Sequence, residues 1–480
     1  MVDTMDESLS TVGSNSLYEC IEQIASSAYV VLAPDATIVQ TARAMRDNDS
    51  CEWAVIFEHD QLRGVISAAN LSHRALAEAL PLDSRIDSIM DLNPLTTSSK
   101  TRVYDAIVTM YRYQAQSMVV MSETRMISLL TLPALLQNNR LKMVYLVEKI
   151  HVAQSEQDIA DLTVERRELF LDLVNGKVPA EMVYSVMTLI MDTINCRLID
   201  FAIQRLGKPP CDFCWVVAGS QARKEVHAYS DQDSGILLEN SATKQDEAYF
   251  THMAMIVSKG LDKCGYELCA GKFMGSNPKW CQRLQVWEQY FQQWIANPEL
   301  ENLLNLSVFL DTRAIYGDHH MLANLNAQYT DVKSNALFLR KMINDAVTNR
   351  APLNIFNNLV LVKGRENIKR LNLKRHGINV IVDLARLYAM RSKSMECNTK
   401  KRLNVAYSCG EINLQTHLAI SRAYEFLSEF RLLVQAKEVE KGMQPSALID
   451  PNYLGEFDKA RIVDAFKLIS DWQKNSQQLF

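Results

Sequence analysis

Between residues 28 and 138 the order of apolar and polar positions is written twice. In each copy a short apolar strand precedes a polar turn and an amphipathic helix. Ile38, Ala42 and Met45 share one helix face in the first copy, and Val103, Ala106, Ile107 and Met110 share one in the second. Two more strands follow, Trp53 to Phe57 with Gly64 to Ser67, and Ser117 to Met121 with Met126 to Leu129, then a closing helix; Ser67 and Ser128 fall at matching positions. Apolar residues at three- and four-residue spacing mark a helix, and short apolar runs between turn residues mark buried strands. The pattern therefore predicts two β-α-β-β-α units forming a pseudo-twofold pair.

From Leu141 to Leu206 the pattern is helical, with Gly176 as a stop and Pro179 opening the next helix. The period then changes. The apolar run Phe213 to Ala218 predicts a buried strand, Gly219-Ser220 a turn, Gln221 to Val226 a short helix, and Asp233 to Leu238 a second strand. Residues 335 to 475 return to helical spacing and predict a bundle. Within it, "VKGRENIKRLNLKRHG" gathers Lys363, Arg365, Lys369, Arg370, Lys374 and Arg375 against Glu366, either a solvated helix face or a patch facing phosphates or an acidic partner. Asp383 and Arg386, three apart, share a helix face and are placed to pair; Trp280 and Trp287 are expected to pack a domain junction.

The bulk numbers narrow the function. A chain of 480 residues exceeds one ordinary core and predicts several domains. A net charge of −5 argues against a protein that lives on nucleic-acid phosphates, though not against a nucleotide pocket. No secretory signal and no run long enough to span a membrane is present, so a cytoplasmic protein is expected. Of ten cysteines only Cys211 and Cys214 form a close C-x-x-C pair, and no second pair or spaced histidines complete a zinc set.

The chemistry concentrates in "WVVAGSQARKEVHAYSDQDSGILLEN", Trp215 to Asn240. Residues two apart on a strand share a face, so Asp231 and Asp233 aim at one point. Such carboxylates repel unless a cation neutralises them, and Mg²⁺, which takes one or two carboxylates plus phosphate oxygens, is the natural choice. Gly219-Ser220 offers backbone N–H groups and a hydroxyl to a phosphate.

Gly219, Ser220, Arg223, Glu225, Asp231 and Asp233 together resemble the signature of DNA polymerase beta-like nucleotidyltransferases, in the branch that includes the PII-protein uridylyltransferases. The repeat at 28–138 resembles a tandem CBS pair, and "ELCAGKFMGSNPKWCQRLQVWEQYFQQWI", "SVFLDTRAIYGD" and "LKRHGINVIVDLARLYA" resemble later segments of a CBS-containing nucleotidyltransferase family. The resemblance implies an α/β multi-domain chain: an N-terminal helix or tail (1–27), a CBS pair (28–138), a helical connector with a polymerase beta-like nucleotidyltransferase domain (139–330) and a helical substrate-binding bundle (331–480). The stretch before residue 28 is too short for the cyclic-nucleotide-binding domain that many members add.

The resemblance further implies Asp231 and Asp233 as catalytic Mg²⁺ ligands. It implies Gly219, Ser220, Arg223 and Glu225 at the nucleotide, with Arg223 and Glu225 shaping the loop as a pair. The substrate would be a nucleoside triphosphate and the acceptor a protein hydroxyl. Members complete the metal site with a third carboxylate, for which Asp311 and Glu267 are the candidates; Asp311 has the alternative of bridging Arg313. The CBS pair implies an adenine-nucleotide ligand and a homodimer. Its Gly-x-x-Thr/Ser-x-x-Asp run reads Gly64, Ser67, Asn70 in the first copy and Arg125, Ser128, Thr131 in the second, without the Asp that holds ribose. The rival expectation is a regulatory protein that binds a nucleotide without turnover.

Overall fold

The structure, a computed structural model, describes residues 20–21, 28–48, 51–59, 61–113, 115–122, 125–131, 142–228, 230–333, 336–350, 352–353, 359, 362–363, 369–446, 448–450 and 453–479. The chain is α/β and forms two compact units, Met1–Tyr145 and Leu146–Phe480.

In the first unit the repeat is realised as two sheets of one topology. Strand β1 (Val30–Leu32) runs parallel to β2 (Trp53–Glu58), which pairs antiparallel with β3 (Gln61–Ser67); β4 (Thr96–Ser98), β5 (Ser117–Ser122) and β6 (Arg125–Thr131) repeat the arrangement. The helices Ile38–Asp47 and Val103–Arg112 connect the parallel strands, the first held by a capping box between Thr37 and Gln40. The register corrects the matching read from the sequence. Trp53 pairs with Ser67 as Ser117 pairs with Thr131, and the bulge after Ile56 recurs after Val120. Ser67 therefore corresponds to Thr131, not Ser128, and Gly64 to Ser128; the partner of Asn70 is Ala134, which lies outside the described residues, as does the closing helix of the second copy. Equivalent residues of the two copies meet in one core, Val55 and Val65 with Val119 and Leu129. A Cβ at Gly64 would lie 2.6 Å from the Asp91 carbonyl, so this glycine lets the segment at Asp91 bridge Val65.

The second unit is built on a four-stranded sheet of order β10-β7-β8-β9. Strand β7 (Phe213–Ala218) lies between β10 (Thr312–Gly317) and β8 (Ser234–Leu238), antiparallel to both, and β9 (Cys281–Arg283) runs parallel to β8. Every residue of β7 and β8 is buried, as expected of β-branched and aromatic runs covered on both faces. The helices Ala180–Leu206 and Lys244–Lys263 pack against each other, and the former packs on β10. An aromatic cluster of Trp280, Trp287, Trp294, Phe273 and Phe309 fills the core, with Trp287 Nε1 donating to the Ile236 carbonyl at 3.0 Å.

The region from residue 336 onward is helical as predicted, with one difference. The basic run is not a helix: its described parts form β11 (Val362–Lys363) and β12 (Lys369–Asn372), paired with each other and with β13 (Leu448–Ile449), then a π-helical turn Lys374–Ile378 leading into the helix Asn379–Arg391. Hydrogen-bonding along a strand spares the charges from having to share one helix face.

Candidate active site

Strand β7 delivers the chain to Gly219, whose φ of +57° turns it back. The helix that follows is shorter than expected, Gly219–Ala222, and Lys224 at φ +58° ends it. A Cβ at Gly219 would stand 2.7 Å from Asp233 Oδ2, so only glycine lets the turn lie against that carboxylate. The two segments are tied by Ala218 N–H donating to the Asp233 carbonyl at 2.8 Å.

Asp231 and Asp233 flank Gln232, which is buried and donates its amide to the carbonyls of Ser258 (3.0 Å) and Tyr266 (2.8 Å). Its backbone bridges Leu268 in parallel. Pinning Gln232 inward sends both neighbours to the opposite side, where they converge. One ligand atom from each of Asp231, Asp233 and Cys269 lies within 4.8 Å of the others. Burial, then the charge of Asp231, raises the Asp233 carboxyl to about 6, while the neighbouring Cys269 thiol works in the other direction. Burial, then Asp233, pushes the Cys269 thiol up to about 12. Two oxygen donors crowded at one point, one of them reluctant to ionise alone, are a donor set that fits a divalent cation.

Lys374, in the π-helical turn, lies in the electrostatic field of both aspartates; burial lowers its pKa while Asp231 works in the other direction. Lys374 is thus a member of the basic run whose charge is felt by the carboxylate pair. His227, bonded through its N–H to Ser230 Oγ and through its ring to Gln435, is held well below its usual value by burial, then by Arg431 and Lys374.

Arg223, Glu225 and Asp311 stand elsewhere than the sequence suggests. Asp311 is wholly buried, and its carboxylate accepts from Arg386 Nε (2.9 Å) and Nη2 (2.7 Å), Arg402 Nη2 (2.6 Å) and Arg223 Nη1 (2.9 Å). Burial alone would raise its pKa, but Arg386 and Arg402 outweigh burial and hold the carboxyl well below its usual range. With four donors its oxygens are saturated, so Asp311 does not serve as a third metal ligand; nor does it bridge Arg313, which pairs with Asp192 at 2.8 Å. Arg223 does pair with Glu225 (2.7 Å), and Glu225 accepts from the Thr399 N–H at 3.1 Å, at the start of the helix Thr399–Ser408. These two charges are thus spent inside the protein and are not available to a nucleotide. What they do for the turn is indirect: Gly219 N–H donates to the Asp311 carbonyl at 3.1 Å and Glu225 N–H to the Ser220 carbonyl at 2.8 Å. Ser220 keeps its hydroxyl without a partner among the described residues. Glu267, the other candidate third carboxylate, accepts from Gln444 and is outside the cluster. The segment "CAGKFMGS" holds no carboxylate, and it is the Cys269 sulfur that lies beside the two aspartates.

The family model described as "Putative nucleotidyltransferase DUF294" matches residues 165–301, "Putative nucleotidyltransferase substrate binding domain" matches residues 336–480, and "CBS domain" matches residues 21–76. No curated protein matches the chain. Similar solved structures include an uncharacterized conserved protein from Pyrococcus horikoshii, 19% identical, covering 26% of this chain and 94% of that one with a TM-score of 0.25. Another is a CBS domain protein from Pyrobaculum aerophilum complexed with AMP, 24% identical, covering 24% of this chain and 90% of that one with a TM-score of 0.23. With a CBS domain, a transferase domain and its substrate-binding domain matched in that order along the sequence, the chain belongs to the CBS-domain-containing nucleotidyltransferase family that these three models describe.

Proposed function

We propose that the protein is a Mg²⁺-dependent nucleotidyltransferase that moves UMP or AMP from the triphosphate to a hydroxyl of a protein acceptor, as PII-protein uridylyltransferases do, under control of its CBS pair. The observation that carries the reading is the convergence of Asp231 and Asp233 on one point beside a turn that only glycine permits. In this reading Asp231 and Asp233 hold Mg²⁺, which when bound lowers the pKa of the acceptor hydroxyl and offsets the charge of the leaving pyrophosphate. The Ser220 hydroxyl, unpartnered among the described residues, faces the triphosphate. Lys374 brings a positive charge to it from the substrate-binding domain. The Arg223–Asp311–Arg386–Arg402 network orients the turn without touching substrate. The acceptor meets the nucleotide between the sheet and the C-terminal helices.

The second reading, nucleotide binding without turnover, is favoured by one observation: no third carboxylate joins the pair among the described residues. The two are separated by incubating the protein with labelled UTP, ATP, GTP and CTP and Mg²⁺ in a cell lysate. Label that becomes covalent on a protein, and does not with Asp233→Asn, supports transfer; nucleotide that binds and is recovered intact in every case supports the second reading.

A further inference from the structure

The parallel bridge between Gln232 and Leu268 sets Cys269 alongside Asp233 and Glu267 alongside Asp231. Only the first of these joins the pair, since Glu267 is engaged with Gln444. Cys269 is buried, 7% exposed, and its sulfur lies within ligand spacing of both carboxylates. Other buried cysteines, Cys214, Cys264 and Cys281, join no such group among the described residues. Two oxygens and a sulfur at one point form a mixed donor set, unlike the all-oxygen sets that suit Mg²⁺.

We propose that Cys269 is the third donor of the metal site, and that it makes the site bind a sulfur-accepting cation such as Mn²⁺, Co²⁺ or Zn²⁺ more tightly than Mg²⁺. The proposal rests on the reading of Asp231 and Asp233 as metal ligands. When the sulfur takes up the cation, its thiol proton leaves to solvent, so binding releases a proton. Mg²⁺ is then held by the two carboxylates alone, and the sulfur acts as a selector among cations.

The test is a titration of the full-length, metal-free protein with Co²⁺, followed through the sulfur-to-cobalt charge-transfer absorption in the near ultraviolet. A saturable band is expected, absent in Cys269→Ser and in Asp233→Asn, and retained in Cys264→Ser. Cys269→Asp, which also covers a serine variant that folds poorly, is expected to bind Co²⁺ without the band and to take Mg²⁺ about tenfold more tightly than the wild type. Co²⁺ bound by the wild type with no band, or a band surviving Cys269→Ser, overturns the role of the cysteine while leaving the carboxylate site standing. Co²⁺ affinity and band both unchanged in the Asp231→Asn, Asp233→Asn double variant overturns the carboxylate reading itself.

Discussion

Arg386 grips Asp311 with one edge of its guanidinium, Nε on Oδ1 at 2.9 Å and Nη2 on Oδ2 at 2.7 Å, with the carboxylate wholly buried and the arginine 3% exposed. Removing one partner of a buried ion pair leaves the other charge uncompensated. Asp311→Asn takes the shared counter-charge from Arg386, Arg402 and Arg223, leaving Arg223 with Glu225 and Arg386 with Asp383. It is expected to cost about 3–5 kcal/mol, read as a lower melting temperature, with transfer falling only as the folded fraction falls. The folded pKa of Asp311 is depressed, so its contribution is complete above the unfolded carboxylate value of about 4 and is lost as pH falls through the lower, folded value. Wild-type acid unfolding should therefore begin below about pH 4 at this group, and the Asn variant should lack that part of the pH dependence. A variant that melts like the wild type would remove the network's structural role.

Asp233 has the opposite sign. Its folded carboxyl is raised to about 6, so in the metal-free protein it stabilises least once ionised, and stability declines as pH rises from about 4 toward that value. Asp233→Asn removes the penalty. With chelator present, the variant is expected to melt above the wild type at pH 8 and alongside it at pH 4, a gain on the order of 1–2 kcal/mol. Mg²⁺-dependent transfer is expected to vanish. Full transfer by the variant would refute the metal-ligand role.

Gly219→Ala places a Cβ 2.7 Å from Asp233 Oδ2 at a φ of +57°. The carboxylate must move, and a misplacement of about 1 Å in a reacting site costs roughly a hundredfold. The expected result is that loss in turnover with the secondary structure retained by circular dichroism; unchanged turnover would show that the turn and Asp233 act separately.

The core shared by Val55, Val65, Val119 and Leu129 joins the two copies within residues 1–145 into one pseudo-twofold unit. Such units bury their remaining helical faces most readily in a closed pair. Sedimentation of that fragment should show a dimer, and AMP should bind weakly because Asn70 stands where a ribose-binding Asp is expected. A strict monomer at high concentration would count against the pairing.

Local pattern proved enough for β7, whose bounds Phe213 and Ala218 were legible to the residue, and for the alternation that brings Asp231 and Asp233 together. It failed where the answer depends on pairing. The repeat was matched three positions out, because the placement of a strand against its neighbour, bulge included, is fixed by hydrogen bonds that a run of apolar letters does not encode. The partners of Asp311 lie 75, 88 and 91 residues away; the neighbouring Arg313 was the only arginine a linear reading could offer it. Cys269 offered no metal signal in the sequence because no second cysteine pair or spaced histidine completes a zinc set with it; its oxygen neighbours come from a segment more than thirty residues earlier.

The bond from Thr399 to Glu225, and from Asn398 Nδ2 to the Arg223 carbonyl at 2.9 Å, bears on how such a chain is inherited. The two regions that bear separate family names share one set of counter-charges. Neither can be traded for a distant relative's copy without leaving half of that set behind. A working chimera would have to carry Arg223, Glu225, Asp311, Arg386, Asn398, Thr399 and Arg402 across as one cassette.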